Sequence, residues 1–240
     1  MATNYSPKIV TDGLVLCLDA ADKTSYSGSL QGGILATWTD LSGNGNHGST
    51  VNNPTFDTGS SSIKFVSESI HRWDCSNDSS VNIQSSMTAE AWINLASTPI
   101  EAGSTVVTKG NVNGGASTIQ YNLHFNTSRQ VKWQISDGSS GNTMNTTAAV
   151  STGIWTHIVG THDAPNTNSY IYINGELSAT DASSIGNLGG TSIDLTVGYD
   201  DYSNRYAFDG NISNVRIYNR ALSDAEIKQN FNAQRSRFGV

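Results

Sequence analysis

Retaining hydrolysis of a glycosidic bond needs two carboxylates about 5–5.5 Å apart, which on a strand means acids two residues apart on one face. The chain has glutamates only at positions 68, 90, 101, 176 and 226. Of these, Glu226 alone has an acid within three residues, Asp224, and that acid opens a helix. Glu90 stands by itself on its strand. His157 and His162 are spaced to lie on opposite faces of a strand, and no Ser or Cys with a supporting acid completes a triad. His157 therefore reads as a packed or hydrogen-bonded sheet residue. No Cys/His group has zinc spacing.

What remains is non-covalent chemistry. Gln120, Asn122, His124, Lys132 and Gln134 form an amide-rich set suited to sugar hydroxyls and equally to water. Tyr199, Tyr202, Tyr206 and Trp73 fall in stretches that read as loops, where a flat ring either stacks on a pyranose or anchors the loop. Trp92, Trp133 and Trp155 sit in strand patterns and read as core.

The elements that must position these groups are strands. Met87, Ala89, Ala91 and Ile93 share one face of a strand, with Thr88, Glu90, Trp92 and Asn94 on the other. Ile119, Tyr121, Leu123 and Phe125 alternate with Gln120, Asn122 and His124, and Val131, Trp133 and Ile135 alternate with Lys132 and Gln134. If these two strands are neighbours, their polar sides make one patch. Ile154 to Thr161 and Tyr170 to Ile173 read as antiparallel strands, and Asn174-Gly175 supplies the positive φ angles of a two-residue turn. Trp38 should pin the Gly/Asn-rich loop around it. Ser223 with Glu226 is a capping box opening a short helix over about 223–234, with Ile227 and Phe231 on one face. The expected fold is all-β, an antiparallel β-sandwich of jelly-roll type with a short C-terminal helix, as one domain over residues 1–240.

Gly is abundant (23 residues) and charged residues make up only 14%, as expected of many strands joined by polar turns. The net charge of -7 with scattered basic residues argues against a nucleic-acid surface. No apolar run approaches a membrane span. The start, Met-Ala-Thr-Asn-Tyr-Ser-Pro-Lys, lacks the apolar core of a secretory signal, so synthesis in the cytoplasm is expected. Cys17 and Cys75 read as free thiols, with pairing left open.

Several stretches resemble one family in order and spacing. They are Met87-Thr88-Ala89-Glu90-Ala91-Trp92-Ile93, Val107-Thr108-Lys109-Gly110, Gly153 to Val159, Tyr172-Ile173-Asn174-Gly175, and Phe208 to Ser223. Together they resemble the laminin-G-like and pentraxin-like domains of the concanavalin A-like lectin/glucanase superfamily. Asp12 to Ala20, Trp38 to Gly48 and Asn230 to Gly239 resemble the versions of this domain found in virion proteins of tailed phages and other viruses. Where relatives usually read Phe-Asp-Gly before an acidic, aromatic loop, this chain has Phe65 to Asp74 without the Asp-Gly, so no role of that loop transfers.

The resemblance implies a calcium option at the sandwich rim, for which Asp200, Asp201, Asp209 and Asn204 offer oxygens of suitable hardness. A solvated acidic loop is the alternative, and no cofactor is required. It further implies a non-catalytic virion structural protein, a capsid decoration or a fibre or tail component, assembled in the host cytoplasm and binding host-surface glycan. Its expected partners are other virion proteins and further copies of itself, with no nucleic acid and no membrane. Arg235, Arg237 and Phe238 of the terminal helix are expected to dock on the particle. A ligand-free cement protein and a cell-surface lectin are the alternatives, with a glycoside hydrolase last.

Overall fold

The computed structural model describes residues 7–26, 30–31, 34–35, 37–99, 103–111, 115–182, 185–200 and 206–240. In chain order the strands are β1 (Leu14–Asp19), β2 (Leu30–Gln31), β3 (Ile34–Leu35), β4 (Thr37–Trp38), β5 (Gly48–Val51), β6 (Thr55–Asp57), β7 (Ser62–Phe65), β8 (Arg72–Asp74) and β9 (Met87–Leu95). There follow β10 (Ser104–Gly110), β11 (Ile119–Phe125), β12 (Val131–Ser136), β13 (Gly141–Asn145), β14 (Trp155–Asp163), β15 (Asn168–Ile173), β16 (Glu176–Asp181), β17 (Leu195–Val197) and β18 (Gly210–Tyr218). Among the described residues one α-helix, α1 (Asp224–Phe238), follows the strands.

Two antiparallel sheets form a sandwich. The first runs β16-β15-β14-β9-β18-β7-β6, with β1 paired to the second half of β18. The second runs β13-β12-β11-β10-β17-β8-β5-β4. Alternation assigns the faces. Met87, Ala89, Ala91 and Ile93 of β9 meet Tyr121, Leu123, Phe125, Val131, Trp133 and Ile135 of the second sheet in one core. Gly160 of β14 also faces inward. A Cβ there would lie 2.4 Å from a Trp133 ring carbon, so the indole rests directly on the strand backbone. Any larger residue must displace Trp133.

Trp73 departs from the loop reading. It lies on β8, paired on both sides to β5 and β17, and is fully buried edge-on to Trp38 with ring centroids 5.7 Å apart. Strand pairing turns it into the core, where it cannot stack on a ligand. Trp38 is buried with it. Trp92 is buried too, yet on the outer face of the first sheet, beneath α1. Trp155 is half-buried beside it, 4.8 Å from Phe238. Cys17 and Cys75 are buried free thiols.

Helix α1 opens with the capping box. Ser223 Oγ accepts from the Glu226 backbone, and the Glu226 carboxylate accepts from the Ser223 backbone at 2.9 Å. It runs past the expected end to Gly239, a left-handed cap at φ 71°. In its last turn Arg237 and Phe238 are half-buried against the domain, while Arg235 and Ser236 are exposed. Phe238 stacks on Trp92 at 4.1 Å, while the Arg237 guanidinium donates to Asp19 Oδ1 and Ser61 O, both at 2.8 Å, and to Ser213 Oγ. Arg235 lies over the Phe231 ring.

Candidate functional site

The outer face of the second sheet gathers most of the expected polar set. On β11 and β12 the inward aromatics and aliphatics force Gln120, Asn122, His124, Lys132 and Gln134 outward. Register places Asn122 beside Gln134 and His124 beside Lys132. On the other side, Thr108 adjoins Asn122 and Thr105 adjoins His124, and Thr196 of β17 adjoins Thr108.

Asn122 is fully buried, and neither its Oδ1 nor its Nδ2 has a hydrogen-bond partner. The same holds for His124 Nδ1 and Thr105 Oγ1. An orphaned buried polar group costs about 1–3 kcal/mol, so these atoms would gain from a water or a ligand hydroxyl. Lys132 and Gln134 are half-buried at the edge of this group. Burial, and then the Lys132 charge, pull the His124 imidazole down to about 3, so it is neutral at ordinary pH. Burial also lowers Lys132. The site offers neutral donors and acceptors with one cation beside them. Gln120 does not join it: its amide donates to Asn82 Oδ1 (2.9 Å), Ile83 O (2.9 Å) and Gly189 O (2.7 Å), fastening two loop segments to the sheet.

The chain that follows β17 starts and ends against this face. Thr196 Oγ1 donates to Tyr199 O at 2.5 Å, and Thr105 N donates to Tyr206 O at 2.8 Å. Tyr199 and Tyr206 are both buried, and the Arg72 guanidinium lies 5.5 Å from the centre of the Tyr199 ring. They pack and do not stand out as rim platforms, because both described ends of this segment are bonded to the sheet. Tyr202, Asp201 and Asn204 lie outside the described residues. Asp200 is buried, and Asp209 accepts from Ser97 Oγ at 2.7 Å. Among the described residues no group of three or more His, Cys, Asp and Glu could hold a metal ion; of the four residues named for calcium, only Asp200 and Asp209 are among them.

The carboxylates closest to a catalytic pattern are committed elsewhere. Glu90, fully buried beneath α1, accepts from Arg216 Nη1 at 2.9 Å and from Asn230 Nδ2 at 3.0 Å, with His157 Nε2 at 3.4 Å. Burial pushes its carboxyl up, but His157, Arg216 and Asn230 outweigh that and hold it at about 2. A general acid needs the opposite shift. Glu226 is held at about 2, first by its hydrogen bonds from Arg220. The sequence signal for the Glu90 cluster is the pair of charged residues, Glu90 and Arg216, at outward positions of two apolar strands.

A second concavity, unexpected from the sequence, lies on the first sheet where β14 to β16 meet the start of α1. Its residues come from three separate stretches. The only signal for it is the outward Tyr170 and Tyr172 on one strand.

Known proteins bear on the fold. No curated protein matches the chain by sequence. Among solved structures, the binding domain of Paraclostridial Mosquitocidal Protein 1 superposes with a TM-score of 0.67 at 17% identity, covering 93% of this chain and 52% of that one. The binding domain of Botulinum Neurotoxin DC in complex with SialylT gives 0.66 at 16%, covering 93% and 52%. The HCR/D W1238A mutant gives 0.70 at 16%, covering 94% and 53%. This chain thus spans about half the length of those neighbours, and identities this low establish shared architecture alone. A laminin G-like family model, described as concanavalin A-like lectin/glucanases superfamily, matches residues 71–228. With that match over most of its length and two antiparallel sheets stacked as a sandwich, the chain belongs to the concanavalin A-like lectin/glucanases superfamily.

Proposed function

We propose that this protein is a non-catalytic, lectin-like binding module of a virus particle, and that its ligand face is the outer surface of β10, β11 and β12 at Asn122, His124, Lys132 and Gln134. The observation that carries the site is the buried Asn122 side chain with neither amide atom partnered. A folded protein keeps such a group at a cost to stability, and binding sites are where that cost recurs. Hydroxyls of a host-surface glycan would supply both missing partners. Weak binding at one site would be multiplied by many copies on one particle. The similarity of two neighbours that are themselves binding domains agrees with this reading at the level of fold. The virion setting rests on the resemblance of residues 12–20, 38–48 and 230–239 to virion domains.

The test uses the intact protein clustered on beads against a glycan array, with calcium and with EDTA. Saturable binding is expected, unchanged by EDTA. Asn122→Leu should weaken it about tenfold or more while leaving the melting temperature equal or higher, since an orphaned polar group is replaced by an apolar one of similar size. No binding in either condition, or full binding by Asn122→Leu, would overturn the site and favour a ligand-free cement protein. For the setting, an antibody to the protein should decorate purified particles from the source, and particles without label would refute it.

A further inference from the structure

The concavity on the first sheet has its own chemistry. Outward residues of neighbouring strands pair as Thr161 with Tyr170 and Tyr172 with Leu177. Together with the first residues of α1 they enclose an open cleft of about 430 Å³.

Thr161 lies in its floor. The residue is 1% exposed, and its Oγ1 is buried with no hydrogen-bond partner. Such a hydroxyl can both donate and accept, and nothing in the fold uses it. Two tyrosines form one wall, with ring centroids 6.4 Å apart and planes 47° to each other. Tyr172 Oη donates to Asp224 Oδ1 at 2.5 Å, which fixes that ring. Burial and this bond raise the Tyr172 phenol well above its usual value, so it remains a donor. Leu177 stands 50% exposed at the mouth.

The charge is one-sided. Glu226 is occupied by Arg220 at 2.6 Å and by the helix cap, while Asp163 and Asp224 line the cleft and among the described residues no cation pairs with them in it. None of the described residues lining it is basic. Aromatic and apolar walls suit the C–H face of a pyranose, carboxylates accept from hydroxyls or an ammonium group, and anionic sugars are repelled.

We propose that this cleft is a second saccharide site, separate from the Asn122 face, that takes a pyranose without negative charge and prefers an amino sugar to a neutral one. The ligand class rests on the lectin-like reading above; the location and the charge preference do not.

The test is NMR titration of the intact protein with glucosamine, glucose and N-acetylneuraminate. Glucosamine should shift the amide signals of Thr161, Tyr170 and Tyr172 at the lowest concentration, glucose at a higher one, and N-acetylneuraminate at none. Tyr170→Ala should weaken glucosamine binding about tenfold. Asp163→Asn, a change at a partly exposed position with little risk to folding, should remove about two- to fivefold of the glucosamine preference over glucose. Asn122→Leu should leave this binding unchanged. No shifts in the cleft with either uncharged or amino sugar, or equal binding of N-acetylneuraminate, would overturn the proposal. Loss of cleft binding alone leaves the Asn122 face standing, and loss of array binding in Asn122→Leu with cleft shifts intact separates the two in the other direction.

Discussion

Arg216→Met should lower the unfolding free energy by about 3–5 kcal/mol, because it strands a carboxylate that α1 has sealed from water. Arg216 is 1% exposed, donates to Glu90 Oε1 at 2.9 Å and lies 3.8 Å from Asp19. Removing it leaves Glu90 with Asn230 and His157 only. The same carboxylate anchors the helix, since Asn230 also donates to Tyr218 Oη and accepts from Val10 N. Denaturant unfolding would show the loss as a lower midpoint at an unchanged slope. The double variant Glu90→Gln/Arg216→Met should recover a substantial part of it, because the buried charge is then gone on both sides. A single variant that loses less than about 1 kcal/mol would show that Glu90 reaches water or another cation, contrary to its burial.

Acid should destabilise the protein in two separable stages. His124 is held near 3 in the fold against an ordinary 6.5, so the folded state favours its neutral form. Its contribution is complete above pH 6.5 and is lost as pH falls toward 3. His162 and His71 are also lowered, chiefly by burial, and act in the same direction. Glu90, at about 2 against 4.5, favours its charged form, so its contribution is complete above pH 4.5 and is lost as pH falls through 2. At about 1.4 kcal/mol per unit, the largest effects are about 5 kcal/mol for His124 and about 3 for Glu90. Melting temperatures from pH 8 to 2 should therefore decline from pH 6.5 and steepen below 4.5. His124→Gln should flatten the first stage and leave the second. A wild-type curve level between pH 7 and 4.5 would mean that His124 takes up its proton in the fold as readily as in the unfolded chain.

Alternation made the two sheets legible in the sequence. On β9, β11 and β12 every second residue is apolar over a whole strand, so the inward and outward sets follow from the two-residue period alone. The capping box at Ser223 and Glu226 is local, and it too could be read. What could not be read depends on distant partners. Trp73 sits on a three-residue strand whose neighbours β5 and β17 lie far from it in the chain, so nothing nearby marks it as core. Tyr199 and Tyr206 have the composition of an exposed loop, and only the sheet beneath them makes them buried. Gln120 is outward by alternation, yet residues 82–83 and 189 close over it while leaving Asn122 without partners. Arg237 and Phe238 look available until Asp19 and Trp92 are brought beneath them. The end of α1 at Gly239 had a usable signal in that glycine.

Strand β1 takes its backbone partners from β18. Around that pairing, Tyr218 Oη donates to Val10 O across a separation of 208 residues, and Val10 N donates to Asn230 across 220. On the ribosome, the first strand must therefore wait without its neighbour until residues 210–218 have been made. The central strand β9 can gain β14 earlier, but its other edge stays open until β18 is made. The first sheet therefore closes only when β18 arrives, a pairing of large sequence separation and high loop-closure entropy. During that interval Leu16 and Leu18, both buried at the end, are exposed on an unpaired segment, the period in which one copy is most open to strand exchange with another.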